Sequence, residues 1–326
     1  MREKVPWGIT CALRLDLLNM ASQSELPGVV RSPLYRGRFA PSPTGPLHFG
    51  SLVAALASYL ESRSHQGEWL LRVDDLDQTR CVPGMDKHIM DTLEAFGFQW
   101  DGTPAYQSRT TRDYQAALDT LIRQGHIYYC RCSRKQVAAA AVRMGDEGPV
   151  YPGTCRELGL SDGPGRAARI VADHDIITFE DGLFGHQSQN LAQDVGDFVV
   201  RRADGLFAYQ LAVVVDDQRN AINHVVRGAD LLSSTPRQIW LQRLLGYPRP
   251  RYLHIPLVYA SDGKKLSKSD AAHPVDSGRP VASLLDAWHF LQQDMPDSRD
   301  MSLSEFWQWA PSKWDVLNIQ VKRNHD

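Results

Sequence analysis

Gly37-Arg38-Phe39-Ala40-Pro41-Ser42-Pro43-Thr44-Gly45-Pro46-Leu47-His48-Phe49-Gly50-Ser51 is the stretch whose reading decides the fold. Arg38 to Ala40 reads as a short strand, and the prolines and Gly45 that follow stop any regular element. Beyond them Leu52, Ala55, Leu56, Tyr59 and Leu60 recur at three- and four-residue spacing, which predicts an amphipathic helix from about His48 to Ser64. Trp69 to Val73 then has the apolar density of a buried strand. Strand, loop, helix and strand in that order is the grammar of a parallel sheet. The loop Pro41 to Ser51 therefore falls between the carboxyl end of a strand and the N-terminus of a helix, where backbone N–H groups and the helix dipole favour an anion such as phosphate. His48 is placed to donate to a phosphate oxygen, although taken alone the same pattern serves structure more often than ligand binding.

Downstream, Ile89, Leu93 and Phe96 share one helical face closed by Gly97, and Tyr114, Ala117, Leu118 and Leu121 share another closed by Gly125. The pattern then changes. A strand at Ile127 to Cys130, a Ser133-to-Gln136 capping box, a Gly/Pro-rich stretch and a hairpin turning at Asp181-Gly182 read as an insertion over 126–185. From Asp197 a strand runs to Arg202, a turn sits at Asp204-Gly205, and an apolar run covers Leu206 to Val215. Val225 to Arg227 and Leu253 to Tyr259 read as further strands, separated by a helix with Thr235 as N-cap, Pro236 at its first position and Gln238 completing a capping box. The expected organisation is a loosely ordered extension over 1–34, with Met20 an alternative start, two halves of a Rossmann-like α/β domain at 35–125 and 186–259 flanking the insertion, and a lysine-rich loop with a Trp-rich helical tail over 260–326.

A formal net charge of -2 excludes a globally basic nucleic-acid binder, so any RNA contact must come from a local patch. No apolar run approaches the roughly 18 to 20 residues a membrane span needs, and the expectation is a protein with no membrane association. Five cysteines at uneven spacing fit a reducing cytoplasm better than a secreted disulfide framework. Neither G-x-x-x-x-G-K-[ST] nor G-x-G-x-x-G occurs, which leaves P-loop kinase and dehydrogenase readings without their signatures.

Several charged or nucleophilic residues stand at predicted element ends. Lys264-Lys265-Leu266-Ser267-Lys268-Ser269 follows a predicted strand, and lysines there suit a triphosphate whose charge grows as pyrophosphate leaves, though three lysines in five residues are usually a solvated surface. Arg227 serves as an anion fork or as a structural partner of Asp230, Tyr209 as a ligand contact or as core, and Asp74, Asp75 and Asp77 as a solvated turn, an ammonium partner or a Mg²⁺ site. Cys130, Cys132 and Cys155 lie within 26 residues, and on spacing alone free thiols and a structural Zn²⁺ are even readings.

Gly37 to Ser51, Leu71-Arg72-Val73-Asp74-Asp75-Leu76-Asp77 and Lys265-Leu266-Ser267-Lys268-Ser269 together resemble, in order and spacing, the catalytic motifs of the glutamyl-tRNA synthetases of class I. The resemblance covers about residues 36 to 275. In that family the first motif is usually His-Ile-Gly-His, and here Phe49 and Ser51 replace its second and fourth letters. This variant, with the 57 residues that follow Ser269, resembles the shorter bacterial branch that charges the queuosine base of tRNA(Asp), and implies that no anticodon-binding domain follows.

The resemblance implies ATP-dependent activation of L-glutamate and its transfer to tRNA(Asp) carrying queuosine, by a monomer. It implies His48, Lys265 and Lys268 as catalytic residues, and Pro43, Thr44, Gly45, His48, Gly50, Ser51 and Lys268 around ATP with Mg²⁺ on the phosphates. Around glutamate it implies Arg38, Phe39, Ala40, Pro41, Ser42, Asp74, Tyr209 and Arg227. It also implies Cys130, Cys132, Tyr151 and Cys155 as ligands of one Zn²⁺, with His126 a substitute for the tyrosine and 18 residues separating Cys132 from Tyr151. A truncated synthetase charging a tRNA 3′ end and a non-catalytic tRNA- or adenylate-binding paralogue are the competing expectations.

Overall fold

The deciding stretch folds as strand β1 (Arg36–Phe39), a turn-rich loop and helix α1 (Phe49–Ser64), in a computed structural model that describes residues 34–141, 143–145, 148–258 and 274–321. The extension up to residue 33 with Met20, the end of the strand expected to reach Tyr259, and the lysines of 264–269 lie outside the described residues. β2 (Glu68–Val73) runs parallel to β1, from Arg36 opposite Glu68 to Phe39 opposite Leu71, and after α2 (Met85–Ala95) the short β3 (Ala105–Tyr106) adds to β2 in parallel. Helix α3 (Thr111–Arg123) leads out of this half.

The middle of the chain contains β4 (Ile127–Cys130), α4 (Arg134–Ala140), β5 (Met144–Gly145), β6 (Gly148–Pro149), β7 (Ala167–Ile170), β8 (Ile176–Asp181), β9 (Gly185–Asn190), α5 (Leu191–Asp194) and β10 (Phe198–Arg201). Helix α4 opens on the expected box, Ser133 and Gln136 capping each other reciprocally, and β8 and β9 form the expected hairpin. The strand expected to resume the parallel sheet near Arg202 is β10, and it pairs antiparallel with β7, which pairs antiparallel with β4. Its burial alternates, Phe198 and Val200 inward, as suits a sheet with one wet face. This second sheet therefore extends past the expected insertion boundary at 185.

The remaining elements are α6 (Tyr209–Arg219), β11 (His224–Gly228), α7 (Thr235–Leu245), β12 (Arg251–Ile255), α8 (Pro280–Phe290) and α9 (Leu303–Lys313). β11 and β12 are parallel in register from His224 opposite Arg251, and β12 meets β8 in parallel at Tyr252 and Asp181. β1 and β11 are neighbours, the Asn223 N–H donating to the Arg36 carbonyl at 3.1 Å and the Arg36 N–H to Asn223 Oδ1 at 2.8 Å. The two parallel sets thus abut at β1 and β11, the switch position at which open α/β sheets bind ligands.

The N-cap of α7 is Ser234, not Thr235, and the expected box with Gln238 does not form. The Thr235 hydroxyl is claimed by the Arg227 guanidinium at 2.9 Å and the Gln238 amide by Gln210 at 2.9 Å, so tertiary partners win over the local cap.

Helix α1 buries Leu52, Val53, Leu56 and Leu60 in one core with Trp69, Phe96, Trp288 and Phe306. Each such aliphatic side chain contributes about 1.5–3 kcal/mol on leaving water. The tail helices are part of this core, and the Trp314 indole N–H donates to the buried Glu61 carboxylate on α1 at 2.6 Å.

Candidate active site

A cavity of about 530 Å³ opens where β1, β2, β11 and β12 end. The first loop contributes Arg38, Phe39, Ala40, Pro41, Ser42, Thr44, His48, Gly50 and Ser51, and β2 contributes Arg72 and Asp74. Tyr209 at the start of α6, Arg227 and Gly228 at the end of β11 with Asp230 beyond it, and Ile255 at the end of β12 with the residues to Val258 add to the wall. The cavity thus gathers residues predicted from four separate segments. Pro43 and Gly45 belong to the loop without lining the cavity, and the Pro43 carbonyl is taken by the Val82 N–H at 2.9 Å. Lys265 and Lys268 lie outside the described residues, but both described flanks of their segment sit here. Val258 is on the wall, and beyond it the Val275 N–H donates to the Leu47 carbonyl at 3.0 Å while Pro274 bridges His48.

His48 is the N-cap of α1, its Nδ1 accepting from the Ser51 N–H at 3.3 Å. In the neutral ring that places the proton on Nε2, 3.2 Å from Ser51 Oγ, so the expected phosphate donor and its neighbouring hydroxyl face each other at the mouth of the helix. Both groups stand at the N-terminus of α1, the end of a helix that favours an anion.

Arg38 and Asp74 do not stand free. Arg38, 5% exposed, forks onto Asp217 through Nε at 3.2 Å and Nη2 at 3.4 Å. Arg72 spans Asp74 (2.7 Å) and Asp217 (2.6 Å), and Asp216 beside it accepts from Tyr114 and Gln107. Burial would raise the Asp217 carboxyl, but Arg38 and Arg72 outweigh it and hold the group below its ordinary value. For Asp74 burial outweighs Arg72 and the carboxyl is raised; a bound ammonium would favour its ionised form. Arg72, Asp216 and Asp217 are the residues sequence reasoning missed. The available signal was two aspartates closing the apolar run Leu211 to Val215, since acidic groups buried by such a run require cationic partners.

Asp75 accepts from the Ser108 N–H and hydroxyl, and Asp77 from Thr79, Arg80 and Arg202. Both carboxylates are committed to holding turns, which argues against the Mg²⁺ reading of that cluster.

Arg227 is not the structural partner of Asp230 in any pair given by the geometry. Its Nε donates to His254 Nε2 at 3.0 Å and its Nη2 to Thr235 Oγ1 at 2.9 Å, while Nη1 is buried with no hydrogen-bond partner among the described residues. An unpaired buried guanidinium N–H costs on the order of 1–3 kcal/mol, and Arg227 is one of the residues that line the cavity. Tyr209 is 37% exposed and on the wall rather than in the core.

The second predicted site lies between β4 and the loop after β6. Sγ of Cys130, Cys132 and Cys155 lie within 4.8 Å of one another, and Tyr151 Oη is 3.3 Å from Cys130 Sγ and 3.6 Å from Cys132 Sγ. Tetrahedral zinc bonds of about 2.3 Å to sulfur and about 2.0 Å to oxygen would set sulfurs roughly 3.8 Å apart and sulfur from oxygen roughly 3.5 Å apart. The donor set fits such an ion. Burial raises the Cys155 thiol, but the Arg131 N–H and hydrogen bonds with Tyr151 and Cys132 bring it down to about 7, toward the thiolate a metal needs. Burial, reinforced by the cysteines, holds the Tyr151 phenol above its ordinary value, against the Cys155 N–H that donates to its oxygen at 3.0 Å, and the Arg169 guanidinium lies 3.9 Å over its ring. His126 packs edge-on to Trp240, outside this group. Among the described residues these cysteines form no disulfide.

Residues 35–292 match the family model described as tRNA synthetases class I (E and Q), catalytic domain. The chain belongs to this family. The synthetase is 53% identical over 283 residues to the glutamyl-Q tRNA(Asp) synthetase of Dechloromonas aromatica, covering 86% of this chain and 94% of that one, and 51% identical over 287 residues to that of Chromobacterium violaceum, covering 88% and 95%. Among solved structures it is similar to a glutamate tRNA ligase from Elizabethkingia meningosepticum, described in complex with its amino acid, with a TM-score of 0.73 and 25% identity over 88% of this chain and 66% of that one. The synthetase is therefore an ATP-using enzyme with the class I α/β fold and its parallel sheet. Among the described residues no helix is long and apolar enough to cross a membrane.

Proposed function

We propose that this enzyme activates glutamate with ATP and transfers it to the queuosine base in the anticodon of tRNA(Asp). The observation that carries the glutamate half is Arg227 Nη1, buried without a partner beside a cavity that also holds Arg38 and Asp74. A substrate with two carboxylates and an ammonium complements one guanidinium nitrogen without a partner, a second arginine and a carboxylate on the same wall. The acceptor half is supported by relatives about half identical to this chain along nearly their whole length, whose names specify it.

In the first step the glutamate α-carboxylate attacks the α-phosphate of ATP in line, and pyrophosphate leaves. Arg227 and Arg38 hold carboxylate oxygens and Asp74 the ammonium, with Phe39, Ala40, Pro41, Ser42 and Tyr209 shaping the cleft. The α1 N-terminus with His48, Thr44, Gly50 and Ser51 receives phosphate oxygens. Lys268, helped by Lys265, stabilises charge as pyrophosphate forms, so catalysis is positioning and electrostatics. Mg²⁺ would arrive bound to the triphosphate and neutralise part of its charge. In the second step a queuosine hydroxyl attacks the adenylate carbonyl and AMP leaves. A Zn²⁺ held by Cys130, Cys132, Tyr151 and Cys155 is structural in this account.

ATP–pyrophosphate exchange tests the first step: exchange should require glutamate and fail with glutamine or aspartate, and Lys268→Ala should lower turnover more than ATP affinity. Exchange absent with every amino acid would sink the proposal.

A further inference from the structure

His254 and Asp181 do not line the cavity, yet they control the group that does. Asp181 closes β8 and is 4% exposed; its Oδ1 accepts the N–H groups of Leu183 (3.1 Å), Phe184 (3.0 Å) and His254 (3.3 Å). Its Oδ2 is 2.6 Å from Nδ1 of His254, a ring with 0% exposure on β12. Three N–H groups and an imidazole converge on this carboxylate, which an ionised acceptor satisfies and a protonated one does not. The imidazole proton must therefore sit on Nδ1, which leaves Nε2 bare. That bare nitrogen receives the Arg227 Nε–H at 3.0 Å. On the far edge of the same guanidinium, Nη2 donates to Thr235 Oγ1 at 2.9 Å and to the Leu231 carbonyl at 3.3 Å, and the Tyr252 ring lies 5.4 Å from its carbon. The guanidinium is fixed on both edges, and Nη1 is the nitrogen without a hydrogen-bond partner among the described residues.

We infer that the Asp181–His254 pair is a positioning device for Arg227: the carboxylate sets the imidazole tautomer, and the tautomer supplies the acceptor that orients the guanidinium toward the cavity. The chain of contacts ties the β8–β9 hairpin to the substrate pocket through one ring. It rests on the reading that Arg227 binds a glutamate carboxylate.

Two substitutions separate the two edges of the ring. Gln at 254 can place its carbonyl oxygen where Nε2 stands and keep the acceptor for Arg227; Asn at 254 can keep the donor to Asp181 but reaches no farther. In ATP–pyrophosphate exchange with total tRNA present, Arg227→Ala should raise the KM for glutamate at least roughly tenfold, the loss of one charge-assisted hydrogen bond or more. If it does not, the glutamate reading of Arg227 fails. If it does, His254→Asn should raise the glutamate KM by roughly tenfold with the KM for ATP nearly unchanged, and His254→Gln should recover most of that loss. Equal glutamate KM values for the two variants, or a matching rise in the KM for ATP, would overturn the positioning role. Nitrogen-15 NMR of the unaltered enzyme gives a check that needs no variant to fold. A neutral ring with its proton on Nδ1 is expected at pH 7, and a proton on Nε2 or an imidazolium overturns the inference.

Discussion

Asp217 holds two buried guanidinium groups at once, so its charge matters to both. Removing its charge in Asp217→Asn leaves Arg38 and Arg72 facing each other out of water, and should destabilise the protein by about 3–5 kcal/mol in urea unfolding, with a raised glutamate KM in the fraction that folds. His254 gives a pH dependence of definite sign. Burial, then the Arg227 charge, pushes its imidazole down to about 4 from 6.5 against the opposing pull of Asp181, so below pH 6.5 the unfolded chain binds a proton that the folded one refuses. Stability should be intact above that value and fall as pH drops toward 4, by up to about 1.4 kcal/mol per pH unit, with a shallower slope in His254→Gln. A slope identical in both proteins would remove His254 from that account. Arg38, Asp74 and Arg227 line the cavity, and they came forward in the sequence through the motifs that resemble the glutamyl-tRNA synthetases, since on position alone each serves structure as readily. Asp216 and Asp217 were not, because the partners that explain them lie 102 to 179 residues away along the chain.

At the scale of elements, the strand, loop and helix from β1 to α1 were legible because a period of 3.6 and a proline-rich turn are local signals. The capping box assigned to Thr235 failed because the buried Arg227 outbid the local cap, and β10 was assigned to the wrong sheet because four alternating residues do not state their partner. The loop bearing Tyr151 depends on a neighbouring turn. Gly196 has φ +73°, and a Cβ there would stand 2.4 Å from the Tyr151 carbonyl oxygen and 2.8 Å from its nitrogen, both backbone atoms that cannot rotate away. Gly196→Ala should shift Tyr151 off the three sulfurs, so purified protein should carry less than its full zinc by elemental analysis, and Cys130→Ser less still. Full zinc in both variants, or none in the unaltered protein, would remove the four-ligand site.

At the scale of the whole molecule, the described residues after the lysine segment join the core of the first half. Trp288, Phe306 and Trp314 share one core with α1 and the Trp314 indole donates to Glu61, so the described tail buttresses that helix. Selection of the acceptor is a different part of the function. That part of the function was the least legible, since the formal charge of -2 points to no RNA partner. The central claim is the acceptor, and one measurement addresses it directly: incubation of the enzyme with ATP and labelled glutamate, using tRNA from queuosine-proficient and from queuosine-deficient cells. The account predicts label on tRNA(Asp) from the first source alone, retained after the 3′-terminal nucleotides are trimmed off by an exonuclease before the assay. Equal labelling of both tRNAs, abolished by that trimming, would contradict it and identify an enzyme that charges a tRNA 3′ end.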